Sequence, residues 1–180
     1  NDKYAFVAPH ELATQAGLAV LERGGHAVDA MISAAAMIAV AYPHMNSLGG
    51  DGFWLVHEPG KRQWAVDASG CAAKRAEAEW YKKNNCEVIP NRGPLAALTM
   101  AGTVSGWCEA KSRAAKHALA ESRRAPDLPL EVLLGPAVER ARKGIPVTKS
   151  LERASIKVAK ELKDSPYYQR IFTRSGKPLA

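Results

Sequence analysis

Between residues 11 and 23, apolar side chains recur at helical spacing: Leu12, Ala16, Ala19 and Val20 form one stripe, and Gly24-Gly25 follows as a stop. The pattern predicts an amphipathic helix. Residues 27–41 are apolar on nearly every face, which predicts a second helix buried between layers and ended by Pro43. The longest apolar run, residues 30–42, is too short to span a bilayer and carries Ser33, so a buried core helix is expected and no membrane partner. After Gly49-Gly50-Asp51-Gly52 the period changes. Residues 53–56 (FWLV) and 63–66 (QWAV) predict paired strands, joined by a turn at Glu58-Pro-Gly-Lys61.

The flanking stretches are read the same way. Residues 4–8 (YAFVA) predict a short buried strand closed by Pro9. Asp67-Ala-Ser-Gly70 ends the second hairpin strand, and residues 73–82 predict a short helix. Residues 84–93 predict a loop, and residues 98–100 a strand. Helices are predicted at 104–120 and 130–143, the latter stopped by Gly144. Thr148 predicts an N-cap for a helix through 162, with Glu152 close to the capping-box position. Residues 165–180 read as polar and turn-rich. The order is not an alternating βαβ series, so a layered α+β domain is expected rather than a doubly wound sheet.

Composition changes this picture little. A chain of 180 residues, 47% hydrophobic and 24% charged, fits one globular domain with a sizeable core. It opens on Asn1 without a charged segment leading into an apolar one, so no signal peptide is expected, and it stops mid-pattern, as if more chain followed. Cys71, Cys86 and Cys108 are odd in number and lack a CxxC pair, which argues against a disulfide framework or structural zinc. A reducing, cytoplasmic setting is expected, with the periplasm as the alternative. The net charge of +7 is spread over helices that also carry acids, without aromatic interleaving. That disfavours nucleic acid and favours a solvated basic face, an acidic partner chain or an anionic substrate.

The candidate chemistry is sparse. The 49–52 glycines lie between a helix and a strand, the reverse of a phosphate loop, and no Lys-Ser/Thr pair follows. They read either as a tight turn needing positive φ or as a close approach to another segment that carries the chemistry. His10, His26, His44, His57 and His117 show no metal-ligand spacing and read as caps or surface residues. No GxSxG nucleophile elbow occurs. Cys71 sits just past a strand end, where a lone thiol is inert more often than catalytic. No metal or cofactor is expected.

A longer, ordered pattern carries more. Ala8-Pro-His10, Ala13-x-x-Ala-Gly17, Leu21-Glu-Arg-Gly-Gly-His-Ala-Val-Asp-Ala30, Pro43-His44 and Leu48-Gly-Gly-Asp-Gly-Phe53 resemble the amino-terminal signature of the γ-glutamyltranspeptidase family. The similarity continues through Gly102-Thr-Val-Ser-Gly106, Gly135-Pro-Ala-Val-Glu139, Gly144-Ile-Pro-Val-Thr148, Ile171-Phe172 and Gly176-Lys-Pro-Leu179, so it covers essentially the whole chain. The resemblance implies a proenzyme that cleaves itself into large and small subunits, folded as the four-layer αββα sandwich of amino-terminal-nucleophile (Ntn) hydrolases. It implies that the nucleophile is the threonine opening the small subunit, with its own α-amine as base. This chain, residues 1–180, is then part of the large subunit. The domain is completed by another chain from the same precursor, and pairs of such heterodimers are a further expectation. No catalytic residue is expected here. Thr103, which follows a glycine, falls in a segment that is structural in the family. The glycine turn is expected to pack near the cleft, and Gly50→Val to impair folding or maturation.

The sequence also departs from the family. Where typical members place an arginine that clasps the substrate's α-carboxylate, this chain has Ser69; where a sister group carries Ser-Gly-Arg, it has Ser69-Gly70-Cys71. Asp51, the Tyr-Pro-His-Met run (42–45), Gly52-Phe-Trp54 and Arg92-Gly-Pro-Leu-Ala96 resemble that sister group, which includes oxamate amidohydrolase. The candidate substrate-binding residues are therefore Ser69, Gly70, Cys71 and Arg92, for a small amide or γ-glutamyl molecule. Three functions are expected in turn: γ-glutamyl or amide cleavage and transfer through an acyl-enzyme, a small-acid amidase, and a non-catalytic member that binds or scaffolds.

Overall fold

The structure, a computed structural model, describes residues 4–58, 60, 63–96, 99–120 and 126–179, excepting the side chains of 117–120. The chain divides into two compact units: Asn1–Ala68 with Gly102–Ile145, and Ser69–Ala101 with Pro146–Ala180.

In the first unit, helix α1 (Glu11–Glu22) starts at His10, whose Nδ1 accepts the Leu12 N–H at 3.2 Å. Helix α2 (Ala27–Ala41) starts in the same way at His26, which accepts the Val28 N–H at 3.1 Å. Two of the five histidines are thus caps, satisfying amides that a first helical turn leaves open. Residues 4–8 do not form the expected strand: no neighbouring strand offers them a ladder among the described residues. Instead the Ala8 N–H donates to Thr14 Oγ1 at 3.2 Å, and the Phe6 ring lies over Gly17 of α1 so closely that a Cβ there would stand 2.4 Å from it.

Helix α2 is the centre of this unit. Nine of its residues are buried, Ile32 and Ala30 completely. It packs on α1, on α5 (Leu130–Lys143) and on α4 (Thr103–Ala120). Its apolar surround explains why Asp29, only 4% exposed, needs a cation: Lys111 of α4 reaches it at 3.0 Å and Asp127 at 2.8 Å. Strands β1 (Gly52–His57) and β2 (Gln63–Ala68) pair antiparallel with Trp54 opposite Val66 and Gly52 opposite Ala68. The residues expected to form the connecting turn, Pro59 and Lys61, lie outside the described residues. One hairpin face, Trp54, Val56, Trp64, Val66 and Ala68, joins the helical core, where α4 comes close because Gly106 leaves room for the Ala68 methyl. The other face shows Phe53 and Leu55, 71% and 79% exposed.

The second unit is built from α3 (Ala78–Lys83), a 3-10 turn at Pro94–Ala96, α6 (Lys149–Val158), α7 (Pro166–Phe172) and a hairpin of β3 (Thr173–Arg174) and β4 (Lys177–Pro178). Thr148 caps α6, its Oγ1 accepting the Leu151 N–H at 3.2 Å. The helix stops at Val158, short of 162, and α3 begins at Ala78, later than 73. The strand expected at 98–100 is reduced to one bridge between Ala72 and Thr99, and Leu98 lies outside the described residues. Residues 165–179 are more ordered than their polarity suggests. Ser165 caps α7 with Pro166 at its first position, and Ser175 (φ 52°) and Gly176 (φ 75°) turn the hairpin. The Tyr168 hydroxyl donates to the Ser155 carbonyl at 2.7 Å and pins α7 to α6.

Candidate functional site

The 49–52 turn owes its shape to hydrogen bonds, not to positive φ: Gly49, Gly50 and Gly52 all lie outside the left-handed region. The Gly50 carbonyl accepts from the Gly102 N–H (3.1 Å), the Thr103 N–H (3.0 Å) and the Thr103 hydroxyl (2.7 Å). Gly52 lies against the same segment, since a Cβ there would stand 3.5 Å from Thr103 Cα. The turn does approach another segment closely, the start of α4, but that segment is not one that carries chemistry. Thr103 is 7% exposed with its proton on a backbone carbonyl and no base beside it, an arrangement that locks a turn and offers no nucleophile. At Gly50 a Cβ would meet only Ser47 Oγ at 4.0 Å, so this chain has room for Gly50→Val, and the expected folding defect has no steric cause within it.

Beside this turn lies a cleft of about 370 Å³ lined by His44, Asn46, Ser47, Gly50 and Asp51, with Pro43 and Met45 at its margin. The His44 ring meets Tyr42 edge-on at 4.2 Å, its Nδ1 is buried without a partner among the described residues, and burial lowers its pKa. Sequence reasoning read His44 as a cap or surface residue and gave Asn46 and Ser47 no role. The Tyr-Pro-His-Met run and Asp51 carried only a family resemblance, and an orphaned nitrogen becomes visible only when the ring is packed.

The other candidates lie in the second unit. Ser69, Gly70 and Cys71 follow one another along a single stretch of backbone. Gly70 has φ 76°, and a Cβ there would stand 1.9 Å from the Met100 carbonyl oxygen, so only glycine fits. The Met100 N–H donates to the Cys71 carbonyl at 2.9 Å, which fixes the segment on its far side. Cys71 is an exposed free thiol and Ser69 is half-buried. Arg92 is not joined to this stretch. Its guanidinium pairs with Glu161 at 2.7 Å, both side chains about half exposed (45% and 52%). Among the described residues no group of three or more His, Cys, Asp or Glu is placed to hold a metal, and no helix is long and apolar enough to cross a membrane.

Comparison with known proteins decides the family. The γ-glutamyltranspeptidase family model matches residues 13–180. The chain belongs to the γ-glutamyltranspeptidase family. Among its relatives, the oxamate amidohydrolase proenzyme of Klebsiella pneumoniae is 47% identical over 170 residues, 94% of this chain and 31% of that protein. A glutathione hydrolase-like proenzyme of Bacillus subtilis is 37% identical over 176 residues, 97% of this chain and 31% of that one. The chain thus spans about a third of the length of these curated relatives. Of solved structures, the γ-glutamyltranspeptidase of Pseudomonas nitroreducens superposes with a TM-score of 0.80 at 28% identity, over 99% of this chain and 50% of that one. The cephalosporin acylase of Bacillus halodurans gives 0.77 at 26% identity, over 100% and 35%. The α+β architecture is therefore that of this family of Ntn hydrolases, of which the chain supplies the amino-terminal part.

Proposed function

We propose that the chain is the large-subunit portion of a self-processing Ntn hydrolase that cleaves the amide of a small carboxylate-bearing molecule. The observation that carries the reading is the 47% identity to an oxamate amidohydrolase proenzyme over nearly the whole chain. The Ser69-Gly70-Cys71 segment lacks the guanidinium fork of typical members and that of the sister group alike, so in this reading another cation holds the substrate's carboxylate. In the proposed reaction, the threonine opening the small subunit adds through its hydroxyl oxygen to the amide carbon. Its α-amine takes the proton and passes it to the departing nitrogen, the C–N bond breaks and ammonia leaves. Water then cleaves the resulting ester. Binding and positioning fall to this chain, and the nucleophile to the small subunit of the same precursor.

A second reading, hydrolysis or transfer of γ-glutamyl groups, is favoured by the family match and by the glutathione hydrolase-like relative. A reducing, cytoplasmic setting is the reading that three free cysteines support. Denaturing intact-mass analysis with amino-terminal sequencing of the purified full-length product, followed by assays on oxamate and a γ-glutamyl anilide, tests the proposal. A second chain beginning with threonine and ammonia release from oxamate are expected. An uncut precursor, inert on both substrates, refutes an enzymatic role and leaves a binding or scaffold function.

A further inference from the structure

Nothing among the described residues requires glycine at 49 or 50. Neither takes a positive φ, and beyond its chain neighbours the only described atom within 4 Å of an added Cβ is Ser47 Oγ, at 3.7 Å and 4.0 Å respectively. Glycine costs conformational entropy relative to alanine. What the missing side chains leave is open access to the backbone at the turn. That backbone is well prepared. Three donors on the Gly50 carbonyl hold the 50–51 peptide and polarise it, which strengthens the Asp51 N–H as a donor. The Gly50 and Asp51 N–H groups meet no acceptor among the described residues, and both residues line the cleft of about 370 Å³. This volume suits a small molecule.

The charged and polar groups narrow the ligand. Asp51 makes no ion pair among the described residues, although the chain carries a net charge of +7. Its carboxylate disfavours an anionic group at this end of the cleft. An acceptor carboxylate beside two donor amides matches a group that is itself both acceptor and donor: a primary carboxamide. His44, in the same lining, keeps a buried Nδ1 without a partner among the described residues.

We infer that this cleft binds the carboxamide end of a small molecule, with the Gly50 and Asp51 N–H groups donating to its carbonyl oxygen and the Asp51 carboxylate accepting from its NH₂. The inference rests on the reading of the protein as an amide hydrolase but goes beyond it, since it assigns the amide-recognising groups to the Gly-Gly-Asp turn and makes Asp51 a specificity-determining residue.

The test uses the full-length, self-processed protein as wild type, Asp51→Asn and Gly50→Val, with oxamate and L-glutamine as probes. Binding is followed by calorimetry, turnover by ammonia release and self-cleavage by intact mass. Asp51→Asn removes a charged acceptor, and its KM and Kd for whichever probe the wild type takes should rise about tenfold or more. Gly50→Val should cleave itself and bind more weakly, because its side chain enters the cleft. Wild-type affinity retained within about twofold by both variants overturns the inference, as does a wild type that binds neither probe. Loss of self-cleavage in Gly50→Val with unaltered binding in Asp51→Asn also overturns it, because the cleft is then filled by another part of the precursor. Binding that depends on Asp51 without turnover sustains the inference while refuting the enzymatic reading. Turnover that ignores both substitutions does the reverse.

Discussion

Gly70→Ala tests how firmly the Ser69–Cys71 segment is held. Alanine at φ 76° costs about 1–2 kcal/mol from left-handed backbone strain alone. The new Cβ would also stand 1.9 Å from the Met100 oxygen, where ordinary contact begins at 3.4 Å, so one backbone must retreat by about 1.5 Å (3.4 minus 1.9). That retreat breaks the 2.9 Å bond from the Met100 N–H to the Cys71 carbonyl, worth about 0.5–1.5 kcal/mol. The sum is a loss of about 1.5–3.5 kcal/mol. With a guanidinium m-value of about 4 kcal/mol/M, the unfolding midpoint should fall by about 0.4–0.9 M. Gly49→Ala is the control: its Cβ meets only Ser47 Oγ at 3.7 Å and its φ is not left-handed, so its midpoint should stay within about 0.1 M of wild type. Equal midpoints for Gly70→Ala and wild type would refute the geometry assigned to this segment, and with it the claim that Ser69 and Cys71 are held in a fixed relation.

Other substitutions report on other parts of the chain. Lys111→Met strands Asp29 in the helical core and should cost about 3 kcal/mol of unfolding free energy, and adding Asp29→Leu should recover most of it. Tyr168→Phe leaves the Ser155 carbonyl without its donor and should cost about 1–2 kcal/mol by the same measurement. Burial alone pushes the Lys111 pKa down, but hydrogen bonds to Asp127 and Asp29 outweigh it and raise the pKa above 10.5, while burial raises Tyr168 above 10.0. Both folded values exceed the unfolded ones, so the stability they contribute is complete below about pH 10 and is lost as pH rises through the raised values. Unfolding midpoints followed between about pH 8 and pH 11.5 should be flat and then fall, less steeply in Tyr168→Phe. Glu161→Gln frees Arg92 from an exposed pair and should change stability by less than about 0.5 kcal/mol. If Arg92 holds the substrate carboxylate, KM for oxamate should fall in Glu161→Gln and rise in Arg92→Ala; an unchanged KM in both removes Arg92 from the site.

The helices α2 and α5 were legible in the sequence because each is an unbroken run of helix-compatible residues with a local stop, Pro43 after one and Gly144 after the other. Residues 4–8 were misread because a short apolar run closed by a proline says only that a segment suits a ladder; Phe6 found Gly17 of α1 instead. The Ser165-Pro166 start and the Ser175-Gly176 turn were signals in plain view, outweighed by the polarity around them. The glycines show the limit most clearly. Gly49 and Gly50 sit where a sequence reader expects positive φ and do not have it, while Gly70 reads as an ordinary strand end, yet it has φ 76° and leaves no room for a Cβ. The group that forbids it, the Met100 carbonyl, lies far along the chain, and no local pattern encodes that meeting.

The hairpin raises the same point for the whole fold. Phe53 and Leu55 alternate with Trp54 and Val56, so β1 reads as apolar on both faces, and a strand of that kind is stable when layers cover it on either side. The described residues cover one side only, with helices α2 and α4. Leaving two large apolar side chains more than two-thirds exposed forgoes about 1.5–3 kcal/mol for each. An exposed apolar face of this kind is what a further layer would cover, and the chain spans only about a third of its curated relatives.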